Sequence, residues 1–137
     1  MNKKNLIGTF TLNSCPDVTE IISKNLDYVI IDREHGSHSL KSTNILNKII
    51  KQNCLSLIRV SNLSKIEIQR CLDLNPDGIL IPQISSYEEA KFAISCSYYS
   101  PRGERGLSHI HQHSITITKI QIIRKKKLTK KFLLVYS

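Results

Sequence analysis

Tyr28-Val29-Ile30-Ile31-Asp32-Arg33-Glu34-His35-Gly36 is the stretch that decides the reading of this chain. Four apolar or aromatic residues, two of them β-branched isoleucines beside a valine, suit a short buried strand. Two acids and a histidine follow at once, and a glycine then lets the backbone turn away. In α/β proteins the carboxyl ends of parallel strands are where ligands bind and chemistry is done. An imidazole in such a place, with carboxylates close before it, suits general-base work.

Outward from this stretch, strand and helix patterns alternate. Leu6 to Thr11 reads as a strand. Asp17 to Lys24 has helical spacing at Val18, Ile21 and Ile22, with Pro16 placed for a helix start. Ser42 to Gln52 carries Ile45, Leu46, Ile49 and Ile50 on one helical face, and Leu55 to Val60 is a strand. Ser64 to Leu74 and Ser86 to Tyr98 are helices around the strand Gly78 to Pro82; Ser64 with Glu67, and Ser86 with Glu89, have the spacing of capping boxes. Four strand–helix units in succession imply a parallel sheet covered by helices. No glycine-rich phosphate fingerprint follows any strand, which weighs against a dinucleotide fold. The fold class is therefore α/β, and a doubly wound sheet and a (β/α)8 barrel both satisfy it; a full barrel takes about 250 residues and eight units, and this chain has 137 residues and about four units.

Charge divides the chain. The whole carries +9, but residues 1–108 hold only +2, while residues 109–137 hold +7 and no acid. The expected domains are 1–108, the half-barrel, and 109–137, an irregular basic tail that is disordered or read out of frame. His109, His111 and His113 alternate in that tail, a pattern read as solvated in preference to metal-binding. Any case for nucleic acid would concern the tail alone, and a nucleic-acid partner is not the expectation for the body. The cysteines (Cys15, Cys54, Cys71, Cys96) form no CxxC pair. They are read as free thiols in a reducing cytoplasm. The apolar N-terminal run is too short for a signal-peptide core or a membrane span.

Taken together, these motifs resemble the N-terminal half of the HpcH/HpaI aldolase family, the class II pyruvate aldolases related to citrate lyase β-subunits. The resemblance is carried, in order, by Gly8-Thr-Phe10, Ser14-Cys-Pro16, Leu26 to Gly36, Leu57-Ile-Arg-Val60, Arg70-Cys-Leu-Asp73, Gly78 to Pro82, Glu88-Glu-Ala90 and Tyr99 to Gly106. It implies a TIM barrel, here a partial (β/α)8 barrel of about four units, and reversible cleavage of a 4-hydroxy-2-oxo acid to pyruvate and an aldehyde. It also implies a divalent metal, Mg or Mn, that holds the pyruvate enolate. His35 matches the family's base, Asp73 the acid that raises that histidine's basicity, and Arg59 the arginine that grips the keto acid and stabilises the transition state. Asp32 and Glu34 are secondary candidates from the same loop; Gln83 and Arg105 are read as structural. The family's glutamate and aspartate metal ligands lie beyond the matching region, and nothing after Glu104 is acidic. No metal ligand is therefore assigned, and the chain is expected to be impaired alone. Self-association over uncovered strand edges is expected with it. The alternative reading is a non-catalytic half-barrel whose basic tail binds an acidic partner such as RNA.

Overall fold

The computed structural model describes residues 5–106, together with the backbone of 119–123 and 132–136. Strands β1 (Gly8–Thr11), β2 (Tyr28–Asp32), β3 (Leu55–Arg59) and β4 (Gly78–Pro82) alternate with helices α1 (Pro16–Ser23), α2 (Leu40–Lys51), α3 (Lys65–Asp73) and α4 (Tyr87–Ser97). The four strands pair in parallel in sequence order, with Ile30 opposite Leu57 and Asp32 opposite Arg59. This is the architecture the alternation predicts, with boundaries shifted by a residue or two.

The pleat assigns the two faces of the sheet. Val29, Ile31, Ile58, Val60, Ile79 and Ile81 face the helices and form one buried cluster with Leu46, Ile50, Ile68 and Cys71. The alternate residues Ile30, Leu57 and Leu80 form a second, smaller cluster on the other face, with Tyr28 against it. Asp32 and Arg59 continue that second face to the carboxyl rim. Not every apolar stripe is used for burial: Val18 and Ile21 of α1 and Ile45 of α2 are exposed.

The two predicted capping boxes have different fates. Ser86 and Glu89 form the reciprocal pair at the start of α4. Ser64 makes no side-chain cap on α3, and the Glu67 carboxylate goes instead to Arg33, whose Nε donates to it at 2.8 Å.

The irregular tail and the open edge on the fourth strand are corrected by two further strands. Residues Lys119–Ile123 form β5 and Phe132–Tyr136 form β6. β6 pairs antiparallel with β4, from Pro82 opposite Phe132 to Gly78 opposite Tyr136, and β5 pairs antiparallel with β6. The sheet order is β1-β2-β3-β4-β6-β5. The run Phe-Leu-Leu-Val-Tyr has strong strand propensity, and the unpaired edge of β4 offers it hydrogen bonds. β1 remains an edge of the sheet. His109, His111, His113 and the lysine run 124–127 lie outside the described residues, as does the proposed domain boundary at 108. No helix among the described residues is long and apolar enough to cross a membrane.

Candidate functional site

The site is built where β2 and β3 end side by side. Asp32 and Arg59 are register partners on the same face. The Arg59 Nε donates to Asp32 Oδ1 at 2.8 Å, and Nη2 donates to Oδ2. This is the bidentate pairing that a planar guanidinium favours. Both side chains are buried, at 8% and 2% exposure. Asp32 Oδ1 also accepts the backbone N–H groups of Glu34 at 3.0 Å and His35 at 3.1 Å. One carboxylate thus fixes both the arginine and the turn that carries the histidine. Burial pushes the Asp32 carboxyl upward. The Arg59 hydrogen bond and charge, with the two N–H groups, outweigh it and hold the carboxyl below its ordinary value. The Phe10 ring lies under the guanidinium, 4.8 Å from centroid to Cζ, a cation–π contact.

Glu34 joins His35 to Arg59. Its Oε1 lies 3.8 Å from His35 Nε2 and its Oε2 lies 3.2 Å from Arg59 Nη1. The Gln83 Nε2 donates to Oε1 at 2.9 Å. The Oε2 contact is an ion pair off hydrogen-bonding geometry, and this buried oxygen accepts no hydrogen bond among the described residues. The His35 side chain is 53% exposed while that of Glu34 is 6% exposed. A solvent-facing imidazole therefore stands over a buried Asp32–Arg59–Glu34 cluster. His35 and Arg59 share one rim, on either side of a single carboxylate.

Asp73 is not brought to this rim. It ends α3, which leaves the rim at Lys65 and runs back toward the amino ends of the strands. Four residues later Asp77 is already hydrogen-bonded to Ser56, at the start of β3. Asp73 pairs there with Arg105, whose Nη2 donates to its Oδ1 at 2.7 Å. The pairing of Asp73 with His35 expected from the resemblance is thus absent within this chain: one helix length separates them. Arg105 is buried and stacks on the Tyr99 ring, 4.7 Å from its centroid, in keeping with a structural role.

Two supporting residues, Arg33 and His38, were not read from the sequence. Arg33 ties the loop after β2 to its surroundings, bonding Glu67, the Thr43 hydroxyl at 3.1 Å and the His38 carbonyl at 3.4 Å. Burial raises the Glu67 carboxyl, but Arg33 and Ser61 more than offset this and hold it low. His38 spans two loops, with Nε2 at 3.0 Å from the Thr11 carbonyl and Nδ1 at 3.0 Å from the Ser14 hydroxyl. A carbonyl only accepts, so Nε2 carries the hydrogen and, in the neutral ring, Nδ1 accepts from Ser14. Gly36 makes room for that ring: a Cβ there would lie 2.3 Å from the Asp32 carbonyl oxygen and 2.8 Å from His38 Cδ2.

These residues do not fit a divalent metal. Both oxygens of Asp32 are engaged by Arg59, and Glu34 lies against the same guanidinium. A cation placed between them would meet a fixed positive charge. No group of three His, Cys, Asp or Glu side chains suited to a metal occurs among the described residues.

A parallel half-sheet with an acid–arginine–histidine rim now stands beside the comparisons with known proteins. The family model described as HpcH/HpaI aldolase/citrate lyase matches residues 6–129. The chain belongs to this family. It is 32% identical over 104 residues to a 4-hydroxy-2-oxovalerate aldolase of Novosphingobium aromaticivorans, covering 74% of this chain and 40% of that protein. It is 31% identical over 109 residues to a 5-keto-4-deoxy-D-glucarate aldolase of Escherichia coli K12, covering 77% of this chain and 42% of the relative. Among solved structures, an HpcH/HpaI aldolase from Desulfitobacterium hafniense superposes with a TM-score of 0.69 at 31% identity, covering 77% of this chain and 42% of that one. The chain thus spans about two-fifths of the length of these relatives.

Proposed function

We propose that this HpcH/HpaI family member is a carbon–carbon lyase homologue whose rim binds a small 2-oxo acid, with aldol cleavage of a 4-hydroxy-2-oxo acid to pyruvate and an aldehyde as its reaction. The supporting observation is the convergence of His35 and Arg59 on the two oxygens of Glu34. In this reading His35 takes the proton of the C4 hydroxyl. The C3–C4 bond then breaks, the aldehyde leaves, and the electron pair passes into the enolate of pyruvate. The positive guanidinium of Arg59, fixed by Asp32 before the substrate arrives, is a preorganised countercharge for that enolate. The anionic end of the substrate competes with Glu34 for Arg59 Nη1, because Nε and Nη2 are held by Asp32.

Turnover by this chain alone is expected to be low. The resemblance implies a metal, and the sequence offers no acid after Glu104 to hold one. Residues 1–108 are assigned to the half-barrel and 109–137 to an appended basic segment. The chain is placed in the cytoplasm as a self-associating protein. The β1 edge of the sheet supports the self-association, with Leu6, Ile7 and Leu12 exposed on either side of that strand.

The test is calorimetric titration with pyruvate and a coupled assay of pyruvate release, each with and without Mn²⁺. Saturable pyruvate binding that is weakened at least about tenfold by Arg59→Lys, through loss of the planar fork, supports the reading. Binding indifferent to Arg59→Lys and to His35→Ala refutes it. Brisk Mn²⁺-dependent turnover abolished by His35→Ala would show a complete enzyme and overturn the expectation of low activity.

A further inference from the structure

Gln83 directly follows Pro82, the last residue of β4, and its backbone has φ of 60°, a left-handed conformation that a side chain disfavours. β2 and β4 are not neighbours, because β3 lies between them. At ~4.8 Å per strand spacing the two are roughly 10 Å apart. The Gln83 side chain nevertheless meets one from the loop after β2: its Nε2 donates to Glu34 Oε1 at 2.9 Å. Arg59, at the end of β3, meets the other oxygen of the same carboxylate. Backbone strain of this kind persists where surrounding contacts fix it, and it accompanies functional sites.

We propose that Gln83 is a positioning residue: its amide latches the Glu34 carboxylate beside Arg59, and so leaves the His35 imidazole free to take a proton. The proposal rests on the reading of His35 as the base for a 2-oxo-acid substrate. Glu34 Oε1 lies 3.8 Å from His35 Nε2, too far for a hydrogen bond. To bond the ring at an ordinary ~2.8 Å, that oxygen must travel about 1 Å. Gln83 opposes the movement by holding the same oxygen. An imidazole bonded to the carboxylate would keep its proton, because a close anion favours the charged ring, and it would then serve poorly as a base.

The chemistry of the latch suits its task. A glutamine supplies an N–H donor without a charge, so it fixes Glu34 without competing with Arg59 for it as an ion-pair partner. The charged groups described around His35 are Glu34 and Asp32 of its own loop and Arg59 of β3. β4 contributes the neutral Gln83. The left-handed backbone and the long side chain together carry that amide to Glu34.

The experiment follows the ring resonances of His35 and His38 in the full chain from about pH 5 to 8, in Gln83→Gly and in Gln83→Met. Glycine suits the left-handed backbone, and methionine keeps the length without the donor. In both variants the protonation midpoint of His35 should rise by about half a unit or more, as the opposite charge closes on the ring, while His38 in the same loop stays as it was. In a Glu34→Gln background the same substitutions should leave His35 unmoved, since no carboxylate remains to swing. A His35 midpoint that is unchanged or lowered in either variant overturns the proposal. So does a rise that persists in Glu34→Gln, or one matched at His38, which marks a general disturbance of the loop. Pyruvate is titrated alongside. Pyruvate binding at Arg59 with His35 indifferent to Gln83 overturns the latch alone. A His35 that responds to Gln83 while pyruvate fails to bind leaves the latch standing and refutes the 2-oxo-acid reading.

Discussion

Arg59→Met is expected to cost this chain about 3–5 kcal/mol, the loss that follows when one partner of a buried ion pair is removed. Two buried carboxylates depend on that guanidinium, Asp32 at 2% exposure and Glu34 at 6%. Without it they face each other across an apolar floor that includes Phe10. Domains of this size hold roughly 5–15 kcal/mol in all, so the variant stands close to unfolding. At about 1–3 kcal/mol per molar urea, the unfolding midpoint should fall by about 2 M. Arg59→Lys, which keeps the charge and loses the fork, should fall between the two. The pH dependence gives the sharper signature. In the unaltered chain the Asp32 carboxyl is depressed below its ordinary 3.8. Its contribution is therefore fully present above that value and lost as pH falls through the folded pKa. In Arg59→Met, burial acts without the guanidinium and the folded pKa rises above the unfolded one. The deficit is then greatest at neutral pH and shrinks toward pH 4. Urea unfolding followed by circular dichroism from pH 4 to 7 measures both. A midpoint shift under about 0.3 M, or a deficit that does not change with pH, would refute the claim that this buried cluster holds the rim together.

Other consequences follow from the same contacts. Gly36→Ala should destabilise by about 2 kcal/mol or more, because a Cβ would lie 2.3 Å from the Asp32 carbonyl and 2.8 Å from the His38 ring; thermal unfolding checks this. Ser86→Ala should cost about 1 kcal/mol through the lost cap, whereas Ser64→Ala should change stability far less, since Ser64 makes no side-chain cap. Asp73→Asn should leave pyruvate affinity unchanged, as Asp73 is bonded to Arg105 away from the rim; an effect on affinity would place that acid in the site by some route outside the single chain. Sedimentation should show concentration-dependent association that Leu12→Lys, just past the β1 edge, reduces.

The strand–helix alternation was legible because each element carries its own signal. Val29 to Ile31 and Ile79 to Ile81 are apolar without interruption, and Leu46 and Ile50 fall on one helical stripe; all are buried as that pattern requires. The rim was legible in part. His35 and Arg59 could be marked because one follows and the other ends an apolar strand, where polar groups stand out. Their relation to Glu34 depends on the register that sets Asp32 opposite Arg59, which no local pattern encodes. Asp73 shows the converse. Its motif matches, yet a helix that returns to the amino ends of the strands carries it away. The fate of Glu67 was hidden because its choice between capping Ser64 and pairing with Arg33 turns on a residue 34 positions earlier. The strands β5 and β6 were missed because β6 pairs with the distant β4 and β5 pairs with β6 across a stretch rich in lysine that reads as solvated.

The account turns on a keto-acid anion meeting His35 and Arg59 together. The most direct measurement is the His35 imidazole resonances during titration with pyruvate, in the unaltered chain and in Arg59→Lys. The account predicts saturable shifts at His35 that Arg59→Lys weakens about tenfold, with the Arg105 guanidinium signals unmoved. Saturable pyruvate binding that leaves His35 silent, or that moves Arg105 instead, would contradict it.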